Sequence, residues 1–157
     1  MVILGIDPGT TIIGFGVIDK NKSKLKLIDY GVIRTRNVSQ SEKLLEINKE
    51  LNKIVKKYNP EVAGIETLYF STNKKTAIAV AEARGAIILT LTQNNIPIKE
   101  FSPNNIKATV SGYGRSDKKA MEKMVSLNLG IKESSLPDDA FDALAIALRA
   151  SFETHVK

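Results

Sequence analysis

VILGIDPGTTIIGFGVID, residues 2–19, gives the strongest indication of the fold. It opens with a short apolar run that ends in Asp7, and the PGTT that follows is typical of a tight turn. IIGFGVID, residues 12–19, predicts a second strand with glycines in its interior. After a polar turn, LKLIDYGVIRT, residues 25–35, predicts a third strand. Connections this short predict two antiparallel hairpins.

Beyond these strands the apolar residues recur at helical spacing. Helices are predicted over residues 39–58, 73–92, 103–110, 116–128 and 135–150, and strands over residues 61–66 and 96–101. Ser39 or Ser41 caps the first helix, and Ser135 with Asp138 has capping-box spacing in the last. The order β-β-β-α-β-α-β followed by helices predicts the α/β class, with a five-stranded mixed sheet flanked by helices. We expect residues 1–157 to form one domain.

Composition excludes several classes of protein. With 43% hydrophobic and 25% charged residues, the chain is not expected to be disordered. It has no cysteine and one histidine, His155, so thiolate chemistry and Ser-His-Asp triads are not expected. No apolar run reaches the roughly 20 residues of a membrane span, and no basic region precedes the first apolar run. We therefore expect a cytoplasmic protein without membrane contact.

The net charge is +6, which attracts polyanions such as nucleic acid or an acidic membrane surface. A lysine-rich surface that keeps the protein in solution explains the same charge equally well. Lys118 is more informative, because Arg115 and Lys119 lie near it in a glycine-flanked loop. Such a cluster predicts contact with phosphate groups.

Asp7 and Glu66 each end a predicted strand. An acid at one strand end is commonly a turn or cap residue, but two at equivalent ends indicate a shared site. If the fourth strand lies parallel beside the first, the two carboxylates converge at the sheet edge where ligands bind. Asp139 and Asp142 are three residues apart and share one face of the last helix. Asp138 lies at the start of the same predicted helix, and we interpret it as a residue that stabilises the helix dipole and not as part of the site.

Four clustered carboxylates repel one another unless cations lie among them. Carboxylate oxygens select hard ions, so we expect Mg²⁺, with Mn²⁺ as a possible substitute. Two ions roughly 3.5–4 Å apart stabilise the entering and leaving oxygens of a phosphodiester displacement. Acids in the site with basic residues around it favour a metal-dependent nuclease over a simple DNA-binding protein.

Four segments of the chain carry a family resemblance: GIDPGTTIIGFGVID, IETLYFSTNKKTAIAVAEARGAI, FSPNNIKATVSGYGRSDKKAMEKMV and PDDAFDALAIALRA. In this order and spacing they resemble the successive motifs of the RuvC family of bacterial Holliday junction resolvases (crossover junction endodeoxyribonucleases). The resemblance covers nearly the whole chain, to about residue 150.

The resemblance implies an RNase H-like fold and a homodimer that nicks opposing strands of a four-way DNA junction during recombination and repair. It also implies 5′-phosphate and 3′-hydroxyl ends, two Mg²⁺ ions in each active site, and cooperation with the RuvA–RuvB branch-migration complex. Asp7, Glu66, Asp139 and Asp142 match the metal-binding catalytic acids, although some relatives have histidine at the position of Asp139. Lys118 matches a basic residue that the family places beside the DNA and the active site.

DNA-contacting residues also follow from the resemblance. Lys107 matches a basic residue beside the DNA, although solvated helix surface is its alternative interpretation. Tyr69 matches an aromatic position used against bases at the junction centre, and of the pair Tyr69 and Phe70 we expect one to contact DNA, Tyr69 by preference. Lys74 and Lys75 begin the second helix, where amines and helix N-terminus together suit phosphate. That helix is also expected in the dimer interface.

Three alternatives remain open at this point. An ATPase of the actin, Hsp70 and sugar-kinase type has a similar phosphate loop, but it needs two lobes. A YqgF-type RNase H-like nuclease of ribosomal RNA maturation shares the opening strand-turn-strand, but it does not explain ETLYF, EARG or DDAFDALA. A catalytically inactive DNA-binding module is opposed by the four retained acids.

Overall fold

The computed structural model describes residues 1–68, 74–111, 118–131 and 136–154, without the side chains of residues 74, 75, 110 and 111. The strands are β1 (Val2–Asp7), β2 (Ile12–Asn21), β3 (Lys24–Arg34), β4 (Val62–Glu66) and β5 (Ile98–Phe101). The helices are α1 (Gln40–Tyr58), α2 (Lys74–Gln93), α3 (Pro103–Ser111), α4 (Lys118–Leu129) and α5 (Asp138–Glu153). Within these ranges, no helix has both the length and the apolar character needed to cross a membrane.

The five strands form one mixed sheet in the order β3-β2-β1-β4-β5. The strand β1 pairs antiparallel with β2 and parallel with β4, and β4 pairs parallel with β5. This confirms the predicted five-stranded mixed sheet flanked by helices. Because Ile6 lies opposite Ile65 in the parallel pair, the residues that follow them end their strands side by side.

Helices cover both faces of the sheet. On one face, α1 and α2 bury Ile47, Leu51 and Ile87 against the apolar side chains of β1, β2 and β4. On the other face, α5 packs with α3 and α4 around Phe141 and Leu144. Each side of the sheet therefore has its own apolar layer, and α5 spans the centre of the second one.

The ends of the first and last helices differ in how well the sequence predicts them. Ser39 caps α1 in a capping box with Glu42, as one of the two predictions for this helix had it. The prediction that the last helix begins at Ser135 is wrong, because α5 begins at Asp138 after an extended Pro137 that makes no side-chain capping bond. Proline disfavours helical backbone in the residue before it, so the helix cannot extend further toward the N-terminus.

Glycines in β1 and β2 let α5 lie unusually close to the sheet. A Cβ atom on Gly5 would lie 2.0 Å from the carbonyl oxygen of Ala143, and one on Gly14 would lie 1.9 Å from that of Asp139. Real Cβ atoms essentially never approach another atom within 3.0 Å. The backbone of α5 therefore occupies the space that side chains would fill at these two positions.

Candidate active site

A cleft of about 230 Å³ opens at the edge of the sheet where β1 and β4 end. Three of the four predicted acids, Asp7, Glu66 and Asp142, line it together with Lys107. The remaining lining is apolar and comes from α3, α4 and α5: Pro103, Ile106, Met121, Ala145 and Ile146. The cleft is therefore lined by three acids and one lysine and framed by apolar side chains of three helices.

Sheet register and helix spacing bring these acids together. Asp7 and Glu66 are the last residues of two adjacent parallel strands, so both lie at the same sheet edge. Gly14 lies opposite Asp7 in β2, and the backbone of Asp139 packs against that glycine. Asp142 follows about one helical turn later and also lines the cleft.

Asp7 is the electrostatic centre of the cluster. Burial raises its pKa to about 8, and the negative charges of Asp142, Glu66 and Asp139 add to the rise. The positive charge of Lys118 acts in the opposite direction. Asp7 therefore interacts electrostatically with each of the other three predicted acids, although Asp139 does not line the cleft itself.

The other two cleft acids follow the same physical logic. Burial raises the pKa of Glu66, and so does the charge of Asp142, whereas Lys107 lowers it. Asp142 is exposed at the mouth of the cleft, yet neighbouring protein atoms desolvate it enough to raise its pKa. Lys118 opposes that rise, and Asp139 reinforces it. In each case the charge that lowers the pKa of the carboxyl belongs to a nearby lysine, Lys118 for Asp7 and Asp142 and Lys107 for Glu66.

Two predicted lysines lie at the rim of the acid cluster. Lys107, on α3, is exposed and lines the cleft. Lys118 begins α4, and its Nζ forms an ion pair with Asp138 Oδ2 at 2.6 Å. Asp138 therefore has a partner in addition to the helix dipole that the sequence suggested. Lys119 is exposed in the same first turn of α4.

The remaining predicted DNA contacts are only partly described. Tyr69, Phe70 and Arg115 lie outside the described residues. Lys74 and Lys75 form the first turn of α2, and their side chains lie outside what is described.

The donor set of the cleft consists of carboxylate oxygens, which suit a hard divalent cation. Over the residues that the structure describes, no three Asp, Glu, His or Cys side chains form a group that could hold a metal ion as they stand. Burial, with repulsion between carboxylates as a smaller cause, raises the pKa values of Asp7, Glu66 and Asp142, and a cation among them would favour their ionised forms. The carboxylates of Asp7, Glu66 and Asp142 are therefore suitable ligands for a divalent ion. To bind it together, their side chains would have to move closer to one another.

One contact at this edge was not foreseen from the sequence. Arg84, in α2, donates a hydrogen bond from Nε to the backbone carbonyl oxygen of Glu66 at 3.1 Å. Its guanidinium also pairs with the carboxylate of Glu100 in β5. The available signal was the arginine in EARG, the one cation of α2 beyond the two lysines of its first turn.

The raised pKa of Asp7 predicts a pH dependence of stability in buffer containing EDTA. In the unfolded chain the Asp7 carboxyl has its ordinary pKa of 3.8, whereas in the folded protein the pKa is about 8. The carboxyl therefore destabilises the fold increasingly as pH rises through that window. Allowing for screening in the open cleft, we expect Asp7→Asn to gain about 2 kcal/mol over wild type at pH 8.5.

Parallel urea titrations of wild type and Asp7→Asn at several pH values measure this difference. The gain should shrink toward zero below pH 4, where both states of the wild-type carboxyl are protonated. A gain that is constant from pH 4 to pH 8.5 contradicts the prediction.

Comparisons with a family model and with individual proteins agree on one family. The family model described as crossover junction endodeoxyribonuclease RuvC matches residues 3–150. A protein of that name from Caldicellulosiruptor saccharolyticus is 49% identical over 150 residues, covering 94% of this chain and 90% of the relative. Another from Thermosipho melanesiensis is 44% identical over 155 residues, covering 98% and 99%.

A solved structure agrees with the sequence comparisons. Thermus thermophilus RuvC in complex with a Holliday junction substrate superposes with a TM-score of 0.90 at 31% identity. The match covers 97% of this chain and 93% of the other. The similarity therefore extends over nearly the whole chain, including the sheet and the helices on both of its faces.

Proposed function

Because this chain belongs to the RuvC family of crossover junction endodeoxyribonucleases, we propose that it resolves four-way (Holliday) DNA junctions by paired nicks in opposing strands. Its five-stranded mixed sheet has the RNase H-like fold that the resemblance implied. The observation that carries the proposal is the meeting of Asp7, Glu66 and Asp142 in one cleft with Lys107 at its side. The family match favours this function over the YqgF-type nuclease and the ATPase lobe.

The proposed reaction is hydrolysis of one phosphodiester bond per active site. A water oxygen forms a bond to phosphorus, and the bond from phosphorus to the 3′ oxygen breaks, which leaves 5′-phosphate and 3′-hydroxyl ends. Asp7, Glu66, Asp139 and Asp142 are the proposed ligands of two Mg²⁺ ions, for which Mn²⁺ substitutes. Such ions stabilise negative charge on the attacking and leaving oxygens.

The lysines supply the complementary charge. Lys107 and Lys118 lie close enough to the acids to affect their pKa values, so a phosphate in the cleft would lie near both. We assign Lys118 a catalytic role in offsetting charge at the scissile phosphate. The wider DNA path is proposed to include Lys74, Lys75, Arg115, Lys119 and one of the aromatic pair Tyr69 and Phe70. This assignment is supported by the family resemblance and the net charge of +6.

The outer face of α2 is the proposed interface of a homodimer. Its buried side includes Ala83 and Ile87, whereas Ile78, Gly85 and Leu89 on the other side are exposed. No atom lies within 4 Å of a Cβ placed on Gly85. Glycine in an exposed helix costs about 1 kcal/mol relative to alanine. Close approach of a second helix would explain why glycine occupies this position. We therefore propose that two copies of the chain meet at this face of α2.

The dimer proposal predicts the effect of a charge on this face. Ile78 is 67% exposed, so Ile78→Glu should leave the monomer folded. In the dimer it would bury an unpaired charge, and we expect the dimer dissociation constant to rise at least about 30-fold. Leu127, on α4, is 66% exposed and provides the matched control Leu127→Glu. Sedimentation equilibrium measures both, and equal association of the two variants would contradict the proposed interface.

A synthetic four-way junction tests the proposed function directly. With Mg²⁺, the protein should make symmetric paired nicks in the junction and leave a linear duplex of the same sequence intact. Cleavage of structured ribosomal RNA precursors in preference to the junction would support the YqgF-type alternative. On the family resemblance, we extend the proposal to cooperation with the RuvA–RuvB complex and to action in the bacterial cytoplasm, where chromosomal DNA lies.

A further inference from the structure

Arg84 connects the middle of α2 to the ends of two strands. Its Nε donates to the Glu66 carbonyl oxygen at 3.1 Å, and its Nη2 pairs with the Glu100 carboxylate. The Arg84 side chain is 18% exposed, whereas that of Glu100 is 50% exposed. The guanidinium is therefore enclosed between the helix and the sheet, with one donor on the main chain and another on an acid.

The peptide between Glu66 and Thr67 is held on both sides. Its carbonyl accepts from Arg84, and its N–H donates to the carbonyl oxygen of Phe101 at 2.8 Å. The Thr67 hydroxyl donates to the same oxygen at 3.2 Å. Because a peptide unit is planar, two bonds on opposite sides fix its orientation. The direction in which the Glu66 side chain leaves the backbone is thereby set.

We propose that Arg84 is a positioning residue for the cleft. It clamps the peptide after Glu66, so that the Glu66 carboxylate points toward Asp7 and Asp142 when DNA and metal are bound. The inference rests on the proposed role of Glu66 as a metal ligand. Arginine suits the task because its planar guanidinium presents several donors at fixed angles, whereas the lysine ammonium is a point donor on a flexible chain.

The two partners of Arg84 make separate predictions. Arg84→Met removes both contacts, and we expect the single-turnover rate of junction cleavage to fall about 10- to 100-fold. Arg84→Lys can reach one partner at a time and should show an intermediate rate. Glu100→Gln keeps the bond to the Glu66 carbonyl, so its loss should be smaller than that of Arg84→Met. Arg36→Met is the matched control, because Arg36 also pairs with a glutamate, Glu46, but on the exposed surface.

Two further readouts separate positioning from general destabilisation. The junction dissociation constant, measured in EDTA, should stay within about twofold of wild type for Arg84→Met, because Arg84 acts on Glu66 and not on DNA. The rise in unfolding midpoint on adding Mn²⁺ should be smaller in this variant than in wild type, because the ligand set is less well arranged. Rates are compared at a temperature where every variant is fully folded.

The outcomes are distinct. Wild-type rates and a wild-type Mn²⁺ response in Arg84→Met, with only a lower unfolding midpoint, would overturn the proposal and leave Arg84 a structural ion pair. If Arg84→Met fails to fold, the comparison of Arg84→Lys with Glu100→Gln decides, and equal rates in these two and wild type overturn the proposal. If wild type itself does not cut the junction, the proposed function fails, whereas the Mn²⁺ response of the two proteins still tests Arg84.

Discussion

Replacing Asp7 with asparagine is expected to abolish junction cleavage while the protein keeps its fold and its affinity for the junction. Asp7 lies where the charges of Asp142, Glu66 and Asp139 all act on it, so it is the ligand most central to the proposed metal site. Losing about 4 kcal/mol of transition-state stabilisation corresponds to a rate loss of about 10³-fold, and we expect at least that. Asparagine is nearly the same size, so packing at the end of β1 should be preserved.

The measurement is single-turnover cleavage of a labelled junction in Mg²⁺, beside junction binding in EDTA. Asp19→Asn is the matched control, because Asp19 lies opposite Val2 at the other end of the same strand pair. It should cut at nearly the wild-type rate. Mg²⁺-dependent cutting by Asp7→Asn at a tenth of the wild-type rate or faster would remove Asp7 from the catalytic set.

A second large effect is expected from adding one methyl group to Gly14. The Cβ atom would lie 1.9 Å from the backbone carbonyl oxygen of Asp139, and no side-chain rotation can relieve that contact. The first turn of α5 must therefore move by roughly 1 Å or more, and a displacement of that size costs about 100-fold in rate. Overpacking of this kind should also cost about 3 kcal/mol of folding free energy.

Gly31→Ala provides the control for Gly14→Ala. Its Cβ atom would meet only the ring of Phe15, at 2.9 Å, and a side chain can turn away where a backbone cannot. We expect Gly31→Ala to change stability by less than about 1 kcal/mol and to cut at the wild-type rate. Thermal unfolding and single-turnover cleavage measure both effects. Wild-type cleavage by folded Gly14→Ala would show that the close approach of α5 does not set the geometry of the acids.

These two substitutions test two different requirements of the proposed active site: its carboxylates and the position of α5. Asp7→Asn removes a chemical group and leaves the backbone in place. Gly14→Ala leaves all four acids present and alters only where α5 lies. Loss of cleavage in both would mean that the site needs both its carboxylates and the close packing of helix on sheet.

The sequence predicted that Asp7, Glu66 and Asp142 lie together, because the signals for their placement are local. An apolar run that ends in an acid can be recognised from its own residues, and both Asp7 and Glu66 are such endings. Asp139 and Asp142 are three residues apart, and helical periodicity places residues at that spacing on the same face of a helix. What failed was the start of the last helix, where the Ser135 spacing suggested a cap but Pro137 precedes the first helical turn at Asp138.

Contacts between distant residues were beyond the reach of those signals. Lys118 and Asp138 are 20 positions apart, and only the packing of α4 against α5 makes them an ion pair. The bond from Arg84 to the Glu66 carbonyl likewise depends on how α2 lies along the sheet. The sequence shows an arginine in an apolar helix, but a main-chain acceptor leaves no trace in residue type.

The amino-acid pattern was sufficient to predict the order of strands and helices, the acids at the strand ends and the family, because periodicity and motifs are properties of neighbouring residues. How close the acids come, and what surrounds them, depends on the packing of distant segments. That depends on the parallel register of β1 with β4 and on the backbone of α5 lying against Gly5 and Gly14. Burial and mutual repulsion, which raise the pKa of Asp7 to about 8, exist only after distant carboxylates share one cleft.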